Sequence, residues 1–387
     1  MKVTIVSASN PLRAYSGLKY LTKALKNKNV DVELIAKIPR NMLSETTQWG
    51  INVKSFYSTW YGNIPLFRRY MVHLQVLWLG LFTKNIIIFH ELAFFRQLVL
   101  LKKIFPKRIF IHYCTELYNE KDEPKHKNML NFYKKYANIP DLIIECDEGR
   151  EILRKKMYKI TKPTVVIPNT IPKTEIPQKT EEDSLAKLAG ISALPSDIPI
   201  VVYVGGAYLH RQLDIIVEAI SKINKKLFFL AFCYGEKKAI DDLKKVCEEK
   251  MDSKYFKICK SVPRDELLKC INEATAGIVY YKPSLSIGNL YASPTKLFEY
   301  IGVGVPVISS NNPEIVKLIN KYNLGICVKD ESVDALAQAI EDLVFNEKKI
   351  REVKKNQEYV FNNLLCYEVA TREAIKKIVE VINRKEV

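Results

Sequence analysis

Short apolar runs alternate with amphipathic stretches along most of this chain, and the alternation repeats twice. In the first half, Lys2–Ser7, Val30–Ile35, Ile51–Phe56, Ile86–His90, Arg108–Tyr113, Leu142–Glu145 and Thr164–Ile167 read as buried strands. Gly17–Asn27, with Leu18, Leu21 and Leu25 on one face, reads as a helix. So do Ile64–Phe82, Ala93–Phe105 and Glu148–Tyr158. A stretch rich in Pro, Thr, Lys and Glu then runs from Thr170 to Pro199, with one short helix at Asp183–Leu188. The second series has strands at Ile200–Val204, Leu227–Cys233, Phe256–Ile258, Ala276–Tyr280 and Val305–Ile308. Its helices are at Leu213–Ile223, Asp241–Lys250, after Val262, after Ser293, at Ala335–Phe345 and at Lys348–Leu364. Strand–helix alternation of this kind predicts an α/β protein built on two parallel, Rossmann-like sheets.

Length fits two domains. The boundaries predicted are 1–172 for the first, 173–198 for a linker, 199–365 for the second and 366–387 for a closing helix. Eight cysteines stand apart with no CxxC and no Cys/His cluster, so they read as buried thiols in a reducing compartment, not a zinc site. The apolar start is too short for a signal peptide, and the longest apolar run, Met71–Thr83, is too short to span a bilayer. A cytoplasmic protein is expected. The formal charge of +17 points to nucleic acid, an anionic membrane surface or phosphate-bearing substrates. The basic residues are spread along the chain and no RNA-recognition or helix-turn-helix signature is present. The helices at 64–82 and 93–105, with Arg96, Lys102, Lys103, Lys107 and Arg108 about them, suit either a core with a wet rim or a peripheral membrane contact.

Candidate chemistry collects where strands end. Ser293 can cap a helix with Pro294 at its first position, which sets Lys296 and Glu299 on one side of the first two turns. Two readings follow. They are a solvated i,i+3 pair, or a lysine for a phosphate at a helix N-terminus with a carboxylate for a ribose diol. Gly205-Gly206 before a helix allows backbone to approach a phosphate, and Arg211 offers it a guanidinium; the plain reading is a tight turn with a surface arginine. His112 and Glu116 end a strand where open α/β sheets bind ligands; a satisfied loop histidine is the alternative. The first strand is followed by no G-x-G-x-x-G, and the chain has no Asp-x-Asp triplet for a divalent metal.

The segment Pro294-x-Lys-Leu-Phe-Glu-Tyr-x-x-x-Gly-x-Pro-Val-Ile308 resembles the donor site of GT-B glycosyltransferases of the family 4 type, and the order of elements from Ile200 to Val328 matches that family. The resemblance implies two Rossmann-like domains facing each other across a cleft, with the last helix crossing back to the first domain. It implies that Glu299 binds the nucleotide ribose, that Arg211 and Lys296 bind the pyrophosphate, and that Val262 faces the base through its backbone. Gly205, Gly206, Ser293 and Leu297 would line the donor, and His112 would reach the donor sugar. Asn10, Arg13 and Glu116 would lie on the acceptor side. Two departures stand out: Gln212 replaces a glycine in the Arg-Gly-Leu-Asp segment, and Tyr291 stands where the family carries a first glutamate.

The implied activity is transfer of a sugar from a nucleotide-diphosphate sugar to a glycan or lipid-linked acceptor in surface polysaccharide biosynthesis. It would be retaining and metal-independent, with no cofactor beyond the donor. Possible peripheral contact with an anionic membrane is expected, and no nucleic acid partner. The alternatives are a nucleotide-sugar epimerase or hydrolase on the same fold, or a non-catalytic nucleotide-sugar or nucleic-acid binding protein.

Overall fold

A computed structural model describes residues 2–12, 17–56, 65–177, 184–195 and 197–384. The chain divides into two compact units, Met1–Asn169 with Tyr367–Val387, and Thr170–Cys366.

In the first unit, strands β1 (Lys2–Ser7), β2 (Asp31–Ala36), β3 (Asn52–Ser55), β4 (Ile86–His90), β5 (Phe110–Tyr113), β6 (Leu142–Glu145) and β7 (Thr164–Val166) form one sheet. Its order is β3-β2-β1-β4-β5-β6-β7, and every described pairing is parallel. The helices are α1 (Gly17–Lys26), α2 (Pro65–Phe82), α3 (Phe95–Ile104), α4 (Lys127–Tyr136) and α5 (Glu148–Tyr158). β4, β5 and β6 are buried along their whole length, as expected of parallel strands covered on both faces. Asp147 caps α5, its carboxylate accepting from the amides of Gly149 and Arg150.

The second unit holds α6 (Ser184–Ala189), α7 (Leu213–Ser221), α8 (Lys237–Lys250), α9 (Arg264–Cys270), α10 (Ile287–Leu290), α11 (Thr295–Gly302), α12 (Pro313–Tyr322), α13 (Val333–Val344) and α14 (Glu347–Val360). Its strands are β8 (Ile200–Gly206), β9 (Phe228–Tyr234), β10 (Phe256–Lys260), β11 (Ala276–Val279), β12 (Val307–Ser309) and β13 (Gly325–Cys327). They form a parallel sheet in the order β10-β9-β8-β11-β12-β13, so the direction of winding switches between β8 and β11. The segment expected to be a linker lies inside this unit, with α6 packed on α9. Helices α15 (Tyr367–Ala370) and α16 (Arg372–Ile382) return to the first unit, where α16 packs against α1 and β7.

Two elements differ in kind from the sequence reading. Gly205 and Gly206 are the last residues of β8 rather than a loop after it, because their register pairs them with Cys233 and Tyr234 of β9. Arg108 does not open β5. It is buried before the strand, and its guanidinium donates to the carbonyls of Gly80 and Asn85. None of the eight cysteines is in a disulfide, and Cys259 and Cys327 are only half-buried.

Candidate donor site in the second unit

The site is built at the C-terminal ends of β8, β9, β10 and β11, the edge at which open α/β sheets take ligands. β8 ends on Gly205-Gly206. A Cβ at Gly205 would lie 2.6 Å from the Tyr203 hydroxyl, which itself donates to the Gly206 carbonyl at 3.2 Å. The chain then makes one tight turn over Leu209–Arg211 and enters α7 through Gln212 at φ 60°. That left-handed conformation is the one glycine adopts without cost, which gives a physical reason for a glycine in the related segment. Here Gln212 is buried, its side chain donating to the His210 carbonyl and accepting from the Lys282 amide at 3.5 Å. Arg211, just before it, is exposed and makes no ion pair or hydrogen bond through its side chain among the described residues.

α11 brings the other cation. Its cap position is Pro294, not Ser293, and Thr295 is the first helical residue. Proline has no side-chain acceptor, so the expected serine cap at that position is absent; Ser293 lies buried one residue earlier. Leu297, Phe298, Tyr300 and Ile301 sink into the core and fix the helix. Leu297 is therefore a packing residue: its side chain is buried, and its amide already donates to the Pro294 carbonyl at 3.1 Å.

Lys296 leaves the helix on the sheet side. Its Nζ lies 4.3 Å from the centre of the Tyr203 ring and 5.1 Å from that of Tyr281, and it has no carboxylate or hydrogen-bond partner among the described residues. Burial, and then the like charge of Arg211, push its ammonium down to about 7. An amine held this way gains from an anion.

Glu299, one turn on, points to a different neighbour. Its Oε1 accepts from Nε of Arg264, the first residue of α9, whose Nη1 reaches Glu175. Val262, two residues before α9, is half-buried and takes part in no backbone hydrogen bond among the described residues, so its amide and carbonyl remain available to a base edge.

The loop between β11 and α11 carries Tyr291 and is clamped from below. Asn312, fully buried, donates to the carbonyls of Tyr281 (3.1 Å) and Asn289 (2.6 Å) and accepts from Ser310 (2.5 Å). Asn289 donates to the Lys282 carbonyl, and Glu331 accepts from the amide and hydroxyl of Ser284. Sequence reading missed Arg264, Glu175, Asn312 and Glu331. The signal for Asn312 was present: Ser309-Ser310-Asn311-Asn312 is a polar run directly past a buried strand.

The candidates of the first unit fare differently. His112 lies within β5 and is fully buried, against Phe95 and Tyr133, with Nε2 donating to the Glu91 carbonyl at 3.2 Å and Nδ1 at 3.2 Å from Cys114 Sγ. Burial pulls its ring down to about 3, so it is a neutral histidine packed in the core of the first unit. Glu116 is exposed, with its amide donating to Glu91 and its carbonyl accepting from Arg154. Asn10 uses its Oδ1 on the Leu12 amide in a local turn. Arg13 lies outside the described residues.

The polar group at the strand ends is His90, bound to Ser7 Oγ (2.9 Å) and Thr115 Oγ1 (3.2 Å), and beside it Glu91. Glu91 has φ 63° and accepts from the amides of Thr115 and Glu116. Arg154 and Glu145, 2.5 Å apart, complete a buried charged layer.

A family model described as glycosyl transferases group 1 matches residues 186–359, which covers the whole constellation from Gly205 to Glu331. The match lies wholly within the second unit, which is thus similar to group 1 glycosyl transferases. No curated protein matches the chain in sequence. Solved structures agree on the fold. Sucrose-phosphate synthase from Thermosynechococcus elongatus superposes with a TM-score of 0.76 at 14% identity, over 98% of this chain and 99% of that one. A glycosyltransferase from Rickettsia africae gives 0.76 at 15%, over 99% of each. Anabaena HepE in complex with UDP-glucose gives 0.75 at 14%, over 98% and 99%. The chain thus has the fold of these GT-B glycosyltransferases. No helix among its described residues is long and apolar enough to cross a membrane.

Proposed function

We propose that this chain is a glycosyltransferase, moving a sugar from a nucleotide-diphosphate sugar to a glycan or lipid-linked acceptor, with retention of configuration, without a metal, in surface polysaccharide assembly. The observation that carries the donor half is Lys296. Its ammonium lies over the rings of Tyr281 and of Tyr203, whose hydroxyl reaches the Gly206 carbonyl, with no ion pair among the described residues and within the fields of Arg211 and Glu299. Two uncompensated cations at a helix start over a sheet edge suit a diphosphate. As the glycosidic bond to the departing diphosphate lengthens, Lys296 and Arg211 stabilise the charge that develops on it, which is the work a metal does elsewhere. Glu299 takes the ribose hydroxyls with the carboxylate oxygen that Arg264 leaves, and Val262 meets the base with its backbone. The donor is the only small molecule this scheme requires. Anabaena HepE with UDP-glucose supports uridine as the first base to try. The acceptor half, the pathway and a cytoplasmic position at the inner face of a membrane rest on the family resemblance and on the basic first unit.

The test is a thermal-shift panel of UDP-, GDP-, dTDP-, ADP- and CMP-sugars on wild type, Lys296→Met and Glu299→Ala. One donor should stabilise the wild type, by roughly 2.7 kcal/mol at about 100 times its dissociation constant, and lose the effect in both variants. Silence of every donor on a folded protein would overturn the reading. Proton NMR of the product, with a chelator present, checks retention and metal independence. Sugar release without an acceptor would point to the hydrolase alternative.

A further inference from the structure

Helix α2 is apolar on both sides, and among the described residues only one side is covered. Val72, Val76 and Gly80 face inward, with Gly80 seated so closely on Leu101 of α3 that a Cβ there would lie 2.2 Å from Leu101 Cδ1. The outer side presents Tyr70, Leu74, Trp78, Leu81 and Phe82. Tyr70 is 66% exposed, Trp78 60% and Phe82 71%, and the Trp78 and Phe82 rings are 5.5 Å apart. These positions recur at helical spacing, so they form one stripe. They border an open depression of about 440 Å³ lined wholly by α2. The outer side of α3 continues the surface with Leu100 and Ile104, both nearly half exposed. Soluble chains rarely leave so many large apolar groups together in water.

The charge around this surface is of one sign. Between Pro65 and Lys107 the chain has seven basic residues and one acidic residue, Glu91, which is spent on the amides of Thr115 and Glu116. Arg108 donates to Gly80 and Asn85, which ties the C-terminal end of α2 to the end of α3. Exposed Lys84, just past Phe82, and Lys107, just past Ile104, therefore stand at that end, while Lys103 turns to the Tyr136 hydroxyl of α4 at 3.4 Å. A second copy of the chain would bring the same lysines against these and be repelled. Phosphate head groups above acyl chains match both parts: lysines at the phosphates, the aliphatic and aromatic stripe below them.

We propose that the outer face of α2 and α3 docks on an anionic lipid bilayer, with Trp78 and Phe82 entering the head-group boundary. This deepens the membrane part of the proposed function by naming the surface that makes the contact.

The test is flotation of the full chain with vesicles of phosphatidylcholine alone and of phosphatidylcholine with phosphatidylglycerol, read without donor or acceptor. Loss of sugar transfer and loss of docking are thus separate results. The wild type should float with the anionic vesicles only and come off as salt rises. Trp78→Ser with Phe82→Ser should lower partitioning roughly tenfold or more, and Lys84→Glu with Lys107→Glu should do likewise. All four positions are exposed, so thermal midpoints should stay in place, which separates lost docking from lost folding. Absence of flotation, or flotation unchanged in the Trp78/Phe82 variant, would overturn the proposal. So would a concentration-dependent dimer in sedimentation that the same substitutions abolish.

Discussion

Arg264 holds Glu299 through Nε, and the same guanidinium reaches Glu175 with Nη1. One cation thus fixes the carboxylate assigned to the ribose and links it to the turn at Glu175, 89 residues before Arg264. Removing it leaves two partly buried carboxylates without their shared partner. Arg264→Met should cost roughly 1–3 kcal/mol in urea unfolding of the second unit and weaken donor binding in calorimetry. Glu175→Gln should weaken binding less, because the Arg264–Glu299 contact survives. Unchanged donor affinity in Arg264→Met would show that Glu299 needs no such support.

Lys296 gives the donor site a pH dependence. With its ammonium pushed down to about 7, the free protein loses this charge as pH rises through that value, and affinity for a nucleotide-diphosphate sugar should fall with it. Titrations at pH 6 and pH 8.5 should differ in the wild type and agree in Lys296→Met. The stability effect has the opposite direction. The unfolded lysine keeps its proton up to its ordinary 10.5, so between about 7 and 10.5 this group favours the fold more as pH rises.

Asn312, itself fully buried, holds the loop between β11 and α11 by two donated bonds and one accepted bond. Asn312→Ala should cost roughly 1–3 kcal/mol, since the partly buried carbonyls of Tyr281 and Asn289 lose their donor. Hydrogen exchange should quicken at residues 281–292 first. A variant as stable as wild type would show that the loop is held some other way.

The first unit should be sensitive to acid. His90 and His112 are both pulled down to about 3 by burial, so below 6.5 the unfolded chain takes up protons that the folded one refuses, and stability is lost as pH falls. Glu145, raised to about 7 by burial, works against this between 7 and 4.5. Below 4.5 that opposition is spent, so the steepest loss attributable to the histidines is expected between 4.5 and 3. Near-UV circular dichroism against pH should show it, with a shallower fall in His112→Gln.

Strands such as Lys2–Ser7, Ile86–His90 and Leu142–Glu145 were legible to the residue, because a parallel strand covered on both faces is a plain apolar run. That same property hid the role of His112. When both faces of a strand are buried, a polar residue inside the run has no face to betray it, and only the fold shows that His112 lies in the core. Lys127–Tyr136 was not recognised as a helix, since it follows a polar, lysine-rich stretch and has no side-chain cap. Lys296 and Arg211 stand out in the sequence as candidates because a helix start and a strand end are local signals. Arg264, Glu175 and Asn312 were not, because their partners are distant in sequence: 35 residues separate Arg264 from Glu299 and 31 separate Asn312 from Tyr281.

The first unit is made of two pieces of chain, Met1–Asn169 and Tyr367–Val387, and Tyr367 rests on Tyr20 with ring centres 5.4 Å apart. During synthesis, then, the second unit is complete while the first still lacks α15 and α16. The donor-binding half can fold on emergence, as domains do when their residues are contiguous. The other half must wait with the apolar faces of α1 and β7 uncovered until residues 367–382 arrive. Chains cut short after residue 366 would carry a finished second unit joined to a first that cannot close, and the cell's proteases would meet that opening before any substrate did.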